Sequence, residues 1–333
     1  MTTPFGILRF HEQFFERIWG GQRLSTLYGK PTPKDRPIGE AWLISDHPSA
    51  PSVVRDGPHA GRTLHDLVVE DPVSLLGSIE RLTPGGRFPL LLKILDANEP
   101  LSVQVHPDDE TAIASQEPDV GKTEMWYVIH AEPGSQLFVG IEPGATGEKI
   151  KDAITRGTLE NFLVRRDVAA GDSVLVEAGT VHAIGGGILL AEIQQNSDLT
   201  YRLYDWNRCD ANGKRRELHI EKGLRATNLA AFPAWREASG HKNREIKITS
   251  TKVLSLSDYF VTTHLCIHGE CEVEKPGQFL ILFSINCTLG VSCGTGKTII
   301  EPGSCGLISA DEKSITIAGA GEALLYSAWP LDS

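Results

Sequence analysis

Apolar and polar positions alternate over short runs along most of the chain, and long helical periodicity is scarce. Stretches rich in Val, Ile, Leu, Thr and Phe recur at residues 88–95, 101–105, 126–129, 136–139, 173–176, 187–194 and 201–203, separated by Gly, Pro, Asn and Asp. Many short strands with turn signals between them predict a β-sandwich or barrel. Residues 107–118 (PDDETAIASQEP) break the pattern. They open on a proline and acidic residues, which suit a helix N-terminus and its macrodipole. Residues 146–165 carry Ile150, Ile154, Leu159 and Phe162 at roughly helical spacing. With 74–82 as a third candidate, helical insertions are expected at about 66–82, 107–119 and 146–165.

Residues 228–244 (NLAAFPAWREASGHKNR) read as a linker. Beyond it, strands are expected at 246–256, 260–267, 277–284, 297–299, 304–308, 314–317 and 323–328. The chain therefore reads as two β units, 1–240 with helical insertions and 241–333 nearly all β, without a high-identity internal repeat.

Composition narrows the classes. With 333 residues, 41% hydrophobic and 23% charged, the chain suits one large domain or two ordinary ones and is neither disordered nor collagen-like. No apolar run approaches the ~18 residues that span a bilayer. Charges scattered through MTTPFGILRFHEQFFERIWGG predict no signal peptide, so a cytoplasmic protein is expected. The net charge of −11 argues against nucleic acid and anionic membrane surfaces, whose affinity rests on Lys and Arg. Cys209, Cys266, Cys271, Cys287, Cys293 and Cys305 lack CxxC spacing and are expected to be reduced thiols. Gly294-Thr-Gly-Lys-Thr298 looks like the end of a phosphate-binding loop, but the required earlier glycine is Val291, and a plain turn is expected.

Four stretches carry chemistry. In Leu101-Ser-Val-Gln-Val-His-Pro107, strand alternation puts Ser102, Gln104 and His106 on one face. Such a polar face needs partners, and a metal or a hydrogen-bond network would serve. In Gly121-Lys-Thr-Glu-Met-Trp-Tyr127, Lys122 and Glu124 share a side; a surface ion pair is the plain alternative. Gly171–His182 reads as a turn, a strand, a tight glycine turn and a histidine opening the next strand. Taken together, Gln104, His106, Glu124 and His182 form a mixed N/O set that suits zinc, iron, manganese or nickel. In residues 189–208, Glu192 and Gln194 share a face, and Arg202 offers a planar fork suited to phosphate oxygens.

These motifs in this order resemble the type I mannose-6-phosphate isomerases, in their short bacterial form. The pieces are IWGG (18–21), GEAWLISDHP (39–48), LLKIL (91–95), LSVQVHPDDE (101–110), GKTEMWY (121–127), GDSVLVEAGTVHA (171–183) and QQNSDLTYRLYDWNR (194–208). The resemblance implies a mainly β fold of two cupin-type (jelly-roll) barrels with helical insertions in and around the N-terminal one. It implies one Zn2+ per chain, or another divalent metal, on Gln104, His106, Glu124 and His182. Arg202, Lys122, Asp198 and Glu192 are the implied catalytic residues, with Lys93, Ser102 and Trp19 toward the substrate. The implied reaction interconverts mannose 6-phosphate and fructose 6-phosphate by proton transfer through a cis-enediol, in a monomer or homodimer. The second unit offers His264 and His268 without a matching Glu and turn-His set, and is expected to be metal-free and structural. Gly121 stands where longer members carry a histidine, and Glu177 where proline is frequent. A cupin dioxygenase and a catalytically inactive sugar-phosphate-binding cupin are the competing expectations.

Overall fold

The computed structural model describes residues 3–77, 83, 85–209, 213–231, 233–237, 250–275 and 277–328. The expected helix beyond 77, the linker over 238–244 and the strand start at 246–249 fall wholly or largely outside the described residues. The chain divides into two compact units. One is built from Phe14–Ala41 and Lys93–Ser239, the other from Met1–Gln13, Trp42–Leu92 and Gly240–Ser333.

Two sheets organise the first unit. A five-stranded antiparallel sheet runs in the order Tyr201–Tyr204, Val103–Val105, His182–Ile184, Gln136–Ile141 and Leu163–Asp167. A longer sheet includes Ala234–Arg236, Ser173–Val176, Glu124–Ala131, Ile188–Gln195 and, beyond these, strands ending in Ala97 and Gly21. Alternation along each strand sorts the side chains. Leu137, Val139 and Ile184 from one sheet pack with Trp126, Val128, Val174, Val176, Ile188 and Leu190 from the other. Val103, Val105, Val181 and Ala183 point the opposite way and pack with Ile150, Ala153 and Ile154 of helix Gly147–Arg156. The interior between the sheets is thus apolar at one end. Gln104, His106, Glu124, His182, Glu192 and Gln194 lie on the same inward faces beyond it.

The strands Gln13–Gly21 and Ile38–Ile44 were not expected. All of Ile38–Ile44 is buried, so it lacks the alternation that marks a half-exposed strand. Glycine allows these neighbours to approach: a Cβ on Gly39 would come within 2.6 Å of the Trp19 ring. Helix Asp109–Ala114 is shorter than expected and is capped by the Asp108 side chain. Helix Gly147–Arg156 ends at Gly157, in the left-handed region at φ +68°, where glycine meets no Cβ penalty. A short 3-10 turn at Leu159–Phe162 follows, and the strand Leu163–Asp167 begins where helix was expected to run on to 165.

The second unit is built around antiparallel pairing of Phe260–Glu274 with Ser314–Ala328. The sequence reading ends the first at 267 and splits the second into 314–317 and 323–328, but pairing continues through Gly269 opposite Gly319. The expected helix at about 66–82 is two short helices, Leu64–Glu70 behind a Thr63–Asp66 capping box and Pro72–Leu76 behind Asp71. The Gly294–Thr298 stretch belongs to a hairpin that pairs Cys293 with Gly296. Its amide N–H groups at Gly294 and Thr295 donate to the Glu312 carboxylate at 2.9 and 3.2 Å. A carboxylate of the chain itself therefore takes the donors that a phosphate-binding loop would offer. Among the described residues, no helix is long and apolar enough to cross a membrane.

Candidate active site

Three strands bring Arg202, Gln104 and His182 into one row, since Gln104 is the register partner of both others. Across the interior, Glu124 pairs with Gln194 and Trp126 with Glu192. The two inward faces meet at Glu124: His106 Nε2 lies 3.4 Å from its Oε2, and His182 Nε2 lies 3.4 Å from its Oε1. All three side chains are buried and can hold a metal ion together.

The backbone fixes which ring nitrogen faces inward. His106 Nδ1 lies 2.7 Å from the Leu199 carbonyl, and His182 Nδ1 lies 2.8 Å from the Thr180 carbonyl. A carbonyl only accepts, so each Nδ1 carries the hydrogen and each Nε2 presents a lone pair. Burial lowers the His106 pKa to about 3, with Lys122 adding to the effect, and burial lowers that of His182 as well. Both rings are therefore neutral. Glu124 is charged: burial pushes its pKa up, but the Lys122 ammonium opposes this most strongly, and the carboxyl stays well below the usual carboxylate range. Two lone pairs thus converge on a carboxylate beside which the Lys122 ammonium also stands. Two imidazole nitrogens and a carboxylate facing one another make a donor set that suits a divalent cation of the zinc class. The Gln104 carboxamide stands at its edge, with Nε2 3.3 Å from His182 Nε2. Ligation by Gln104 would use its oxygen end.

Beside this set lies a second group of charges. Lys122 Nζ is 2.8 Å from Glu124 Oε2, 3.3 Å from His106 Nε2 and 3.8 Å from Glu192 Oε1. Burial works to lower the Lys122 pKa, but Glu124 and Glu192 overcome it and leave the pKa raised. Glu192 is pushed up to about 7, first by burial and then by the Glu124 charge. The Trp126 indole N–H donates to Glu192 Oε2 at 2.8 Å. Lys93 Nζ stands 3.9 Å from Glu192, 4.0 Å from Glu40 and 4.0 Å from Asp198.

The remaining expected residues divide. Asp198 is half exposed beside Lys93, and its backbone N–H donates to Asp119 at 3.0 Å. The Arg202 Nε donates to Ser102 Oγ at 3.3 Å, while one terminal nitrogen donates to the Glu217 carbonyl at 3.0 Å. Trp19 lies in the apolar cluster with Leu95, Leu101 and Trp126, and not among the polar groups. Sequence reading left out Glu40 and Trp126. Trp126 shares strand parity with Glu124, which was a usable signal. Nothing local links Glu40 to Lys93, more than fifty positions away. Gln195 was also left out. It accepts from the Thr123 N–H at 2.8 Å and donates to Asp109 at 3.1 Å, tying the segment before Glu124 in place.

A two-sheet β fold with a buried His–Glu–His set on its inner faces defines a cupin-type protein. Residues 7–125 match the phosphomannose isomerase type I catalytic domain, and residues 249–327 match the mannose-6-phosphate isomerase cupin domain. A mannose-6-phosphate isomerase of Bacillus subtilis is 41% identical over 85% of this chain and 85% of its own length. One from Streptococcus mutans is 38% identical over 83% of each. The crystal structure of a mannose 6-phosphate isomerase from Bacillus subtilis superposes with a TM-score of 0.84 at 33% identity, covering 96% of this chain and 99% of that one. The chain belongs to the type I phosphomannose isomerase family.

Proposed function

We propose that this protein is a metal-dependent mannose-6-phosphate isomerase, interconverting mannose 6-phosphate and fructose 6-phosphate. The observation that carries the reading is the convergence of two neutral imidazole Nε2 atoms on the Glu124 carboxylate, with Lys122 and Glu192 alongside. His106, Glu124, His182 and the Gln104 oxygen would hold one Zn2+ or a similar divalent ion. The ion would supply positive charge to polarise the substrate oxygens at C1 and C2.

The chain itself supplies the proton chemistry. Glu192 has a proton affinity near neutrality, so it can take a proton from one carbon and return it to the neighbour through a cis-enediol. Trp126 holds one oxygen of this carboxylate and leaves the other toward the two lysines. Lys122 and Lys93 place ammonium charge where oxyanion character develops, inside a buried site where such charge counts most. Arg202 offers its guanidinium to the anionic group of the substrate, steadied by Ser102 and the Glu217 carbonyl. Asp198 orients Lys93 from the exposed side.

A coupled assay tests the reading. Purified protein is given mannose 6-phosphate, and fructose 6-phosphate is followed before chelation, after chelation and after zinc is restored. Turnover that disappears with the metal and returns with zinc is expected. A folded, zinc-loaded protein without turnover would overturn the assignment in favour of an inactive sugar-phosphate-binding cupin.

A further inference from the structure

Among the described residues, strand Tyr201–Tyr204 lies at the edge of the five-stranded sheet, paired with Val103–Val105 on its inner side. An edge strand turns backbone N–H and C=O groups outward, where the ladder cannot satisfy them. At Arg202 a single residue takes both. The Arg202 N–H donates to His219 Nδ1 at 3.1 Å, and the His219 N–H donates to the Arg202 carbonyl at 2.7 Å. These bonds run away from Val103–Val105, so Arg202 and its register partner Gln104 face each other without exchanging backbone bonds. Two residues before His219, the Glu217 carbonyl accepts from a terminal nitrogen of the Arg202 guanidinium at 3.0 Å. Segment 217–219 therefore holds Arg202 at its backbone and at its head.

The imidazole is committed to this task. Accepting from an N–H requires a lone pair on Nδ1, so the ring hydrogen sits on Nε2. His219 is also the N-cap of helix Ile220–Ala226, but its side chain makes no cap bond there. Ser, Thr, Asp or Asn would suit a cap better. The helix behind His219 is firmly seated. A Cβ on Gly223 would come within 2.4 Å of the Leu203 side chain, and Lys222 and the Tyr201 hydroxyl both donate to Glu117, at 2.5 and 3.0 Å. The ladder itself shifts register between Arg202 and Tyr204, which leaves residue 202 less constrained by its own sheet. From this juxtaposition we propose that His219 is a positioning residue for Arg202. By fixing the backbone at 202, it sets where the guanidinium meets the anionic group of the substrate. The inference rests on the reading of Arg202 as the residue that receives that group. Misplacing such a group by about 1 Å can cost ~10²-fold in rate.

Steady-state kinetics with mannose 6-phosphate, beside zinc content, tests the role in His219→Phe, His219→Asn, Arg202→Ala and the double variant His219→Phe with Arg202→Ala. Phenylalanine keeps a ring but offers no acceptor. Asparagine carries a carboxamide oxygen on Cγ, where histidine carries Nδ1. His219→Phe should retain its zinc and raise KM by about tenfold, with a smaller change in kcat, as expected for one lost hydrogen bond. His219→Asn should recover most of that loss. In the Arg202→Ala background, His219→Phe should change the kinetics no further, because the two act as one unit. Equal impairment of the Phe and Asn variants, additive loss in the double variant, or loss of zinc overturns the proposal. Unaltered kinetics in Arg202→Ala would instead overturn the reading of Arg202 and the inference with it. Impaired Arg202→Ala beside unimpaired His219→Phe overturns the role of His219 alone. Should His219→Phe fail to fold, His219→Ala against His219→Asn supplies the same comparison.

Discussion

Lys122 Nζ stands 2.8 Å from the Glu124 carboxylate oxygen that also faces His106. A metal ion held by this carboxylate would therefore compete with the ammonium for its charge. A lysine so placed draws on the same negative charge that attracts the metal, while offering its own positive charge to substrate. Removing it has opposite effects on the two tasks. Lys122→Ala should bind zinc as tightly as the unaltered protein or more tightly, measured by competition with a chromophoric chelator. Its turnover should fall by about 10²–10⁴-fold, the range for loss of one positioned proton-handling group. Parallel loss of metal and rate would show that Lys122 serves the metal and not the substrate.

The two histidines should behave differently from Arg202. His182 offers its Nε2 lone pair because Thr180 fixes its hydrogen on Nδ1. His182→Ala should therefore lose metal and turnover together. Arg202 lies in the same row as His182, with Gln104 between them, and its bonds run to Ser102 and Glu217. Arg202→Ala should keep one metal ion per chain and lose rate, with KM for the phosphosugar rising. Metal analysis beside steady-state kinetics reads both. Full metal content and full rate in His182→Ala would refute the ligand assignment.

As the proposed base, Glu192 should set the pH dependence. Burial and the Glu124 charge raise its pKa to about 7, and a base works only when deprotonated. kcat/KM should therefore fall tenfold per unit as pH drops below that pKa. A cation on Glu124 cancels part of the repulsion that raises it, so in the metal-loaded enzyme this acid limb should lie below pH 7. The Trp126 N–H stabilises the charged carboxylate. Trp126→Phe should then move the limb upward by about one unit, the equivalent of one lost hydrogen bond to a charged group. A limb that stays in place would remove Glu192 from the role of base.

The sequence carried some layers of this structure better than others. Parity along single strands correctly placed Ser102, Gln104 and His106 on one face, and Glu192 with Gln194 on another, because alternation is a local property. It could not join those faces. That Gln104 stands between His182 and Arg202 depends on strand order, which no local pattern records. Family motifs supplied that link. Ile38–Ile44 escaped because a fully buried strand shows no alternation. The long Phe260–Glu274 and Ser314–Ala328 pair was cut short at glycines that the ladder absorbs. Trp19, which the family motif points toward the substrate, packs in the apolar cluster with Leu95, Leu101 and Trp126.

Stability in the second unit should depend heavily on Asp46. Its fully buried carboxylate accepts from the Phe88 N–H at 2.8 Å and from Arg87 at 3.1 Å, and lies 3.2 Å from His65 Nδ1. Asp46→Ala removes the acceptor for all three and leaves a partly buried guanidinium without its counter-charge. Loss of one partner of a buried pair costs about 3–5 kcal/mol. Denaturant unfolding should show a loss of that size, and a change below 1 kcal/mol would contradict it.

Gly121 yields the last prediction. Longer family members carry histidine at this position, so Gly121→His is the obvious attempt to add a base. The local packing opposes it. A Cβ on Gly121 would stand 2.5 Å from the Asp108 carbonyl carbon and from the Asp109 nitrogen, both backbone atoms at the start of helix Asp109–Ala114. The Gly121 N–H also donates to the Asp109 carboxylate at 2.8 Å, and Lys122 N–H donates to the Pro107 carbonyl at 3.0 Å. Relief of the clash must therefore move the segment that carries His106 or the one that carries Lys122 and Glu124. Overpacking of this kind costs about 1–3 kcal/mol. Gly121→Ala should already reduce turnover, and Gly121→His should reduce it further, with weaker metal binding in both. A histidine variant with undiminished rate and metal affinity would show that the helix start yields without disturbing the site.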